Sequence, residues 1–307
     1  MALSQFPSPR PWLRAVLLAL GLAALLAVPA AVVTGQQGKI DVLRIGSSGT
    51  LTGDKQTEKE KSALNSLKSF IKDETGLTNE ILRQNNWREL ADKMAKGKLQ
   101  VGVFQGYEYA WAKEKYPDLK PLALAINVYR YPVVHVVVKR DNAAKDFAGL
   151  KGQALAIPAT GQRYLRLFID RQCQGKKPEE FFAKIETPEN VETAIDGVVD
   201  GQTKVVVADR AGLEAYKRRK PGRFKQLKEV THSQPLPPTV VAYYGSVLDD
   251  VTLKQFRSGL LNASRTERGE TMLTFFRLTG FETVPQDFER VLDQTRKSYP
   301  PTAVGAE

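Results

Sequence analysis

Residues 99–112 read Leu-Gln-Val-Gly-Val-Phe-Gln-Gly-Tyr-Glu-Tyr-Ala-Trp-Ala, and the reading of this stretch decides the fold. Just upstream, Trp87, Leu90, Ala91, Met94 and Leu99 recur at helical spacing with charges between them. Val101 to Phe104 is a short apolar strand. Gln105-Gly106-Tyr107 then breaks it, just before a new helix-like run. Helix, strand, polar break, helix is the unit of an open α/β sheet, in which the carboxyl ends of strands face the ligand crevice. There Gln105 offers an amide, Gly106 a close backbone approach and Tyr107 a phenol. The same residues also satisfy an ordinary strand-to-helix turn.

The unit recurs along the chain. Val42 to Ile45 is a strand that runs into Gly46-Ser47-Ser48-Gly49-Thr50, where hydroxyls and backbone N–H groups suit an anion or a solvated loop. Gln56 to Glu74 reads as a helix stopped at Gly76, and Thr78 to Leu82 as the next strand. Pro121 to Asn127 and the valine-rich Tyr131 to Lys139 are further strands. Ala154 to Ile157 leads through Pro158-Ala159-Thr160-Gly161-Gln162-Arg163 into a helix reaching Cys173. A helix start carries free N–H groups and partial positive charge. Two such loops, one in each half, predict two lobes closing on one ligand. Thr203 to Val207 is a strand ending in Ala208-Asp209-Arg210, where Asp209 either binds a cationic group or caps the helix Ala211 to Tyr216. Ser233-Gln234-Pro235-Leu236-Pro237-Pro238 is a stiff extended connection before the strand Val240 to Tyr244.

The 307 residues, 42% of them hydrophobic, suffice for one large or two modest domains. The net charge of +11 is spread along the chain apart from Lys217-Arg218-Arg219-Lys220. This is a diffusely basic surface that suits an anionic ligand, not the concentrated aromatic-basic face of a nucleic-acid binder. A single cysteine, Cys173, excludes an internal disulfide, and with only two histidines, His135 and His232, no zinc-type cluster is expected. His135 reads as a strand residue, and His232 is the better placed for chemistry. Arg10 and Arg14 precede an apolar run from Ala15 to Val33, with small residues at Val28-Pro29-Ala30. This is the pattern of an export signal over residues 1–35, with an uncleaved anchor as the competing reading. No cysteine follows the run, so a lipoprotein anchor is excluded. No phosphate-binding glycine loop, dinucleotide fingerprint, zincin helix or nucleophile elbow occurs, so nothing in the motifs supports an enzyme.

The order of these pieces carries a resemblance. Leu99 to Trp111, Leu150-Lys151-Gly152, Val205 to Tyr216, Ser233 to Pro237 and Gly280-Phe281 follow one another as in the phosphate/phosphite/phosphonate-binding periplasmic proteins of ABC transporters (the PhnD-like group). The chain resembles that family from Ile40 to Tyr299. The resemblance implies an α/β, two-lobed periplasmic-binding-protein fold of the second type with a central cleft. It places lobe 1 at 40–130 plus 245–307 and lobe 2 at 131–244, with crossings near Asn127 to Pro132 and Ser233 to Tyr244. It implies an exported monomeric solute binder that hands a small anion to an inner-membrane permease, with no cofactor, metal, nucleic-acid partner or catalytic residue. Ser47, Ser48 and Thr50 occupy its first-strand loop. Gln105 and Tyr107 occupy the loop in which an aromatic meets ligand, and Asp209 matches an acidic position that can meet a phosphonate's amino group. The family's hydroxyl-rich cradle in the second lobe is reduced here to Thr160, Gly161 and Gln162, with Arg163 as a compensating donor. Two other readings stay open. One is a same-fold binder or sensor, tethered by its N-terminus, for a different small molecule. The other is an enzyme on this scaffold using His232.

Overall fold

The computed structural model describes residues 40–49, 58–159, 163–245 and 247–301. The export-signal reading of residues 1–35 and the candidate residues Thr50, Thr160, Gly161 and Gln162 lie outside them. The strands are β1 (Val42–Ser48), β2 (Thr78–Gln84), β3 (Val101–Phe104), β4 (Leu119–Ile126), β5 (Val134–Lys139), β6 (Ala154–Ala156), β7 (Lys184–Glu186), β8 (Val205–Asp209), β9 (Leu227–His232), β10 (Thr239–Tyr244) and β11 (Gly280–Glu282). The helices are α1 (Glu58–Thr75), α2 (Trp87–Ala95), α3 (Gly106–Lys115), α4 (Arg163–Gln172), α5 (Pro178–Phe181), α6 (Val191–Val199), α7 (Arg210–Arg219), α8 (Pro221–Phe224), α9 (Asp250–Leu261), α10 (Glu267–Phe276) and α11 (Phe288–Ser298). No helix among the described residues is long and apolar enough to cross a membrane.

Two sheets organise the chain. The six-stranded sheet has the order β11-β4-β10-β3-β1-β2, and the five-stranded sheet β7-β6-β8-β5-β9. β1 runs parallel to β2 and β3, whereas β10 enters antiparallel between β3 and β4. The sequence boundary assigns residues up to 244 to the second lobe, but 239–244 hydrogen-bonds in the first sheet. The connection is therefore complete before Thr239, in the stiff segment 233–238.

Helix α3 explains why the deciding stretch lacks an amphipathic pattern. Every residue from Gly106 to Ala112 is buried, so no solvent face exists to be polar. Trp111 donates its indole N–H to the Tyr299 carbonyl at 2.7 Å, tying α3 to the end of α11. Its ring meets Tyr107 edge-on at 5.0 Å and Trp87 at 5.9 Å. One apolar cluster continues from Trp87, Leu90 and Trp111 through Val136 and Phe168, so it takes residues from both lobes.

Gly106 sits where α3 meets the second crossing. A Cβ there would lie 1.9 Å from the Pro237 carbonyl oxygen, so only glycine lets the two backbones approach this closely. The first crossing contains Val128, a β-branched residue held at φ 63° and more than half exposed. That is a costly backbone conformation for such a side chain.

The last two residues of the basic run at the end of α7 are paired within the protein. Arg219 and Lys220 reach Glu192. Asp196 accepts from Lys220 at 2.6 Å, from the Tyr216 hydroxyl at 2.7 Å and from Arg223 at 2.9 Å. Burial raises the Asp196 pKa, but the hydrogen bonds and charges of these partners outweigh it and hold the carboxyl below its ordinary range.

Candidate functional site

The cleft lies where the two crossings meet the ends of β4 and β8. A cavity of about 40 Å³ opens there, lined by Asn127 and Tyr129 of the first crossing, Pro238 of the second, and Tyr164, Asp209 and Arg210 of the second lobe. Such a volume holds roughly three water-sized groups, the scale of the oxygens on one small oxyanion.

Asp209 is placed by the β8–α7 turn and has both its oxygens engaged. Oδ1 accepts from the Gly212 N–H at 2.7 Å, capping α7, and Oδ2 accepts from the Tyr164 hydroxyl at 2.8 Å. Asp209 is therefore the cap of α7 and at the same time lines the cavity. Burial, reinforced by the Asp209 charge, pushes the Tyr164 phenol well above its ordinary value, so it stays a donor.

Arg210 follows directly. Its backbone N–H bonds the Val133 carbonyl at 3.0 Å, which fixes the residue against the first crossing. Its guanidinium carbon lies 4.3 Å from the centre of the Tyr129 ring. Among the described residues no carboxylate pairs with it, and it is exposed at the cavity. The sequence reading passed over Arg210 in favour of its neighbour. The available signal was an arginine immediately after a capping aspartate at the carboxyl end of a strand.

Arg163 begins α4 and is exposed. Its charge acts across the lobes on Tyr107, which is 7% exposed at the start of α3. Burial, with the Glu108 charge, raises the Tyr107 phenol despite that opposing effect. Gln105 is buried, and its backbone N–H donates to Glu108 at 3.2 Å. The Ser48 hydroxyl donates to the same carboxylate at 2.7 Å.

Ser47 and Ser48 do not converge. Successive residues of a strand face opposite sides of the sheet. Ser48 lies beneath α3, and Ser47 lines an adjoining, mostly apolar cavity of about 180 Å³ with Leu67, Ile71, Phe256 and Met272, which shares Ala125, Thr239 and Leu278 with the cleft. His232 ends β9 and is not among the residues lining the cleft.

The sequence model of the family described as phosphonate periplasmic substrate-binding proteins of ABC transporters matches residues 32–287. No curated protein matches the chain. Among solved structures, a Xanthomonas citri protein bound to ATP is 18% identical, with a TM-score of 0.56, covering 85% of this chain and 97% of its own. PhnD1 from Prochlorococcus marinus in complex with methylphosphonate is 14% identical, with a TM-score of 0.55 and coverages of 84% and 97%. A binding protein component of an ABC phosphonate transporter from Pseudomonas aeruginosa is 13% identical, with a TM-score of 0.52 and coverages of 86% and 91%. These likenesses show the two-lobed periplasmic-binding-protein fold, and the match over 32–287 shows the family. The chain belongs to the phosphonate-type periplasmic substrate-binding proteins of ABC transporters, a family of solute binders in transport.

Proposed function

We propose that the protein captures a small phosphorus oxyanion (phosphonate, phosphite or phosphate) between its lobes and delivers it to an ABC permease, without catalysing a reaction. The observation that carries this reading is Arg210. It is a guanidinium without a carboxylate partner among the described residues, held over Tyr129 at a cavity bounded by both lobes and both crossings. A planar fork of N–H donors there matches the oxygens of a phosphoryl group. Tyr107 of the first lobe and Arg163, exposed at the start of α4 in the second, are further candidate donors, and Thr160, Gly161 and Gln162 are candidates from the sequence alone. Asp209 orients Tyr164 and is the position to meet an amino group on a ligand. Thr50 and Gln105 complete the set of candidate donors, whereas Ser48 acts through Glu108 and Ser47 faces apolar surroundings.

The test is a thermal-stability panel on the protein with phosphate, phosphite, methylphosphonate, 2-aminoethylphosphonate, sulfate and ATP. A ligand at about 100 times its Kd adds roughly 2.7 kcal/mol of stability. A rise with one phosphorus oxyanion names the solute. A rise with ATP alone moves the assignment to a nucleotide, and silence across the panel removes the oxyanion reading.

A further inference from the structure

The two histidines of the chain face each other on the second sheet. His135 of β5 and His232 of β9 are direct cross-strand partners, with ring centres 5.8 Å apart. Glu229 lies between them. One carboxylate oxygen is 2.6 Å from His135 Nδ1 and the other 2.7 Å from His232 Nδ1.

A regular strand would not permit this. Residues three apart on a strand point to opposite faces. Between β5 and β9 the register shifts at Val136/Val137: Thr231 opposes Val136 and Glu229 opposes Val137, leaving Val230 as an extra residue. This β-bulge turns Glu229 onto the face that carries His135 and His232, which is the known use of a bulge to re-aim a side chain.

We propose that His135, Glu229 and His232 form a binding site for one divalent transition-metal ion of the zinc, cobalt or nickel type. Two imidazole nitrogens and a carboxylate oxygen lie within 4.8 Å of one another. That is the donor set these metals take, and three protein ligands leave a further position for water. The cluster is not a closed hydrogen-bond network. The Nε2 of His135 is buried and has no partner among the described residues. Counting histidines and cysteines alone misses the site, because its third ligand is a carboxylate brought in by the bulge. His232 immediately precedes the second crossing, so the metal would pin edge strand β9 to β5 where the chain leaves the lobe. The site shares no residue with the anion cleft, and its fate is independent of the anion reading.

The test uses the full chain without a histidine tag. Cobalt(II) titration is followed by visible absorption, and thermal midpoints are compared with zinc, nickel, magnesium and calcium. One equivalent of cobalt, displaced by zinc, with a raised midpoint for the three transition metals alone, is the expected result. His232→Ala is the principal variant, since its side chain is 56% exposed and its loss should leave the fold intact. Glu229→Gln and His135→Ala follow. Each variant should weaken binding by at least the roughly 10–100-fold that follows loss of an outer-shell partner. Absence of stoichiometric binding by the unmodified chain overturns the proposal. So does undiminished binding by His232→Ala or by the His135→Ala/His232→Ala double variant.

Discussion

The guanidinium of Arg210 lies 4.3 Å from the ring centre of Tyr129, so a residue of the second lobe rests on the first crossing between the lobes. This contact keeps the arginine extended without neutralising it. Arg210→Ala should weaken binding of whichever oxyanion the panel identifies by roughly 10–100-fold, the value of a lost charge-assisted hydrogen bond. The unliganded thermal midpoint should stay close to that of the parent, because the side chain is exposed. Calorimetric titration checks this, and an unchanged affinity would remove Arg210 from the site.

Val128, next to Tyr129, has φ 63° at the centre of a tight turn in which the Tyr129 N–H donates to the Asn127 carbonyl at 2.6 Å, a strained γ-turn for a β-branched residue. Glycine, with no Cβ, adopts a positive φ without that strain. Val128→Gly should raise stability by about 1 kcal/mol, the relieved strain exceeding the added flexibility of the unfolded chain. Urea unfolding provides the measurement, and a loss of stability would mean that the exposed valine makes a contact more valuable than the relief of its backbone.

Gly106 and Pro237 admit no intervening atom. Gly106→Ala places a methyl group 1.9 Å from a carbonyl oxygen. Both partners are backbone, so neither can swing aside. The expected cost is about 1–3 kcal/mol or more, with displacement of the second crossing. Gly222, around which nothing lies within 4 Å, is the matched control and should accept alanine with little change.

Asp196 makes the second lobe sensitive to acid. Its carboxyl is held below the ordinary range in the folded protein. The stabilisation is therefore fully present above the unfolded-state value near pH 4 and is lost as pH falls through the lower folded-state value. Asp196→Asn should lower stability at neutral pH by roughly 1 kcal/mol, a figure kept small because the side chain is a quarter exposed. The variant should also show a flatter decline below about pH 4. Unfolding free energies measured from pH 7 down to pH 3 test both the offset and the slope.

The architecture was legible wherever local pattern and tertiary environment agree. Val101 to Phe104 is β3, and the break at Gln105 opens α3 as read. The resemblance carried by the ordered segments from Leu99–Trp111 to Gly280-Phe281 agrees with the family match over 32–287. What local pattern could not show was pairing at long range. Val240 to Tyr244 was recognised as a strand, yet its place between β3 and β4 depends on partners more than 110 residues upstream. Period-two alternation already separates Ser47 from Ser48, and a stricter use of it would have kept them from one shared role. Arg210 and the His135–Glu229–His232 cluster depend on a ring stacked across a crossing and on a bulge in the register. Neither leaves a mark in spacing along the chain.

The position of β10 also sets an order of assembly. Strands β5 to β9 come from one unbroken segment, so the second lobe contains all its own sheet by His232. The first sheet does not. When the chain emerges from its amino end, β3 and β4 lack the strand that separates them until 239–244 follows. Until then their facing edges are unpaired, and such edges are the surfaces through which nascent chains misassociate. The lobe that begins first is thus completed last, and the first lobe's sheet closes on the finished second lobe rather than before it.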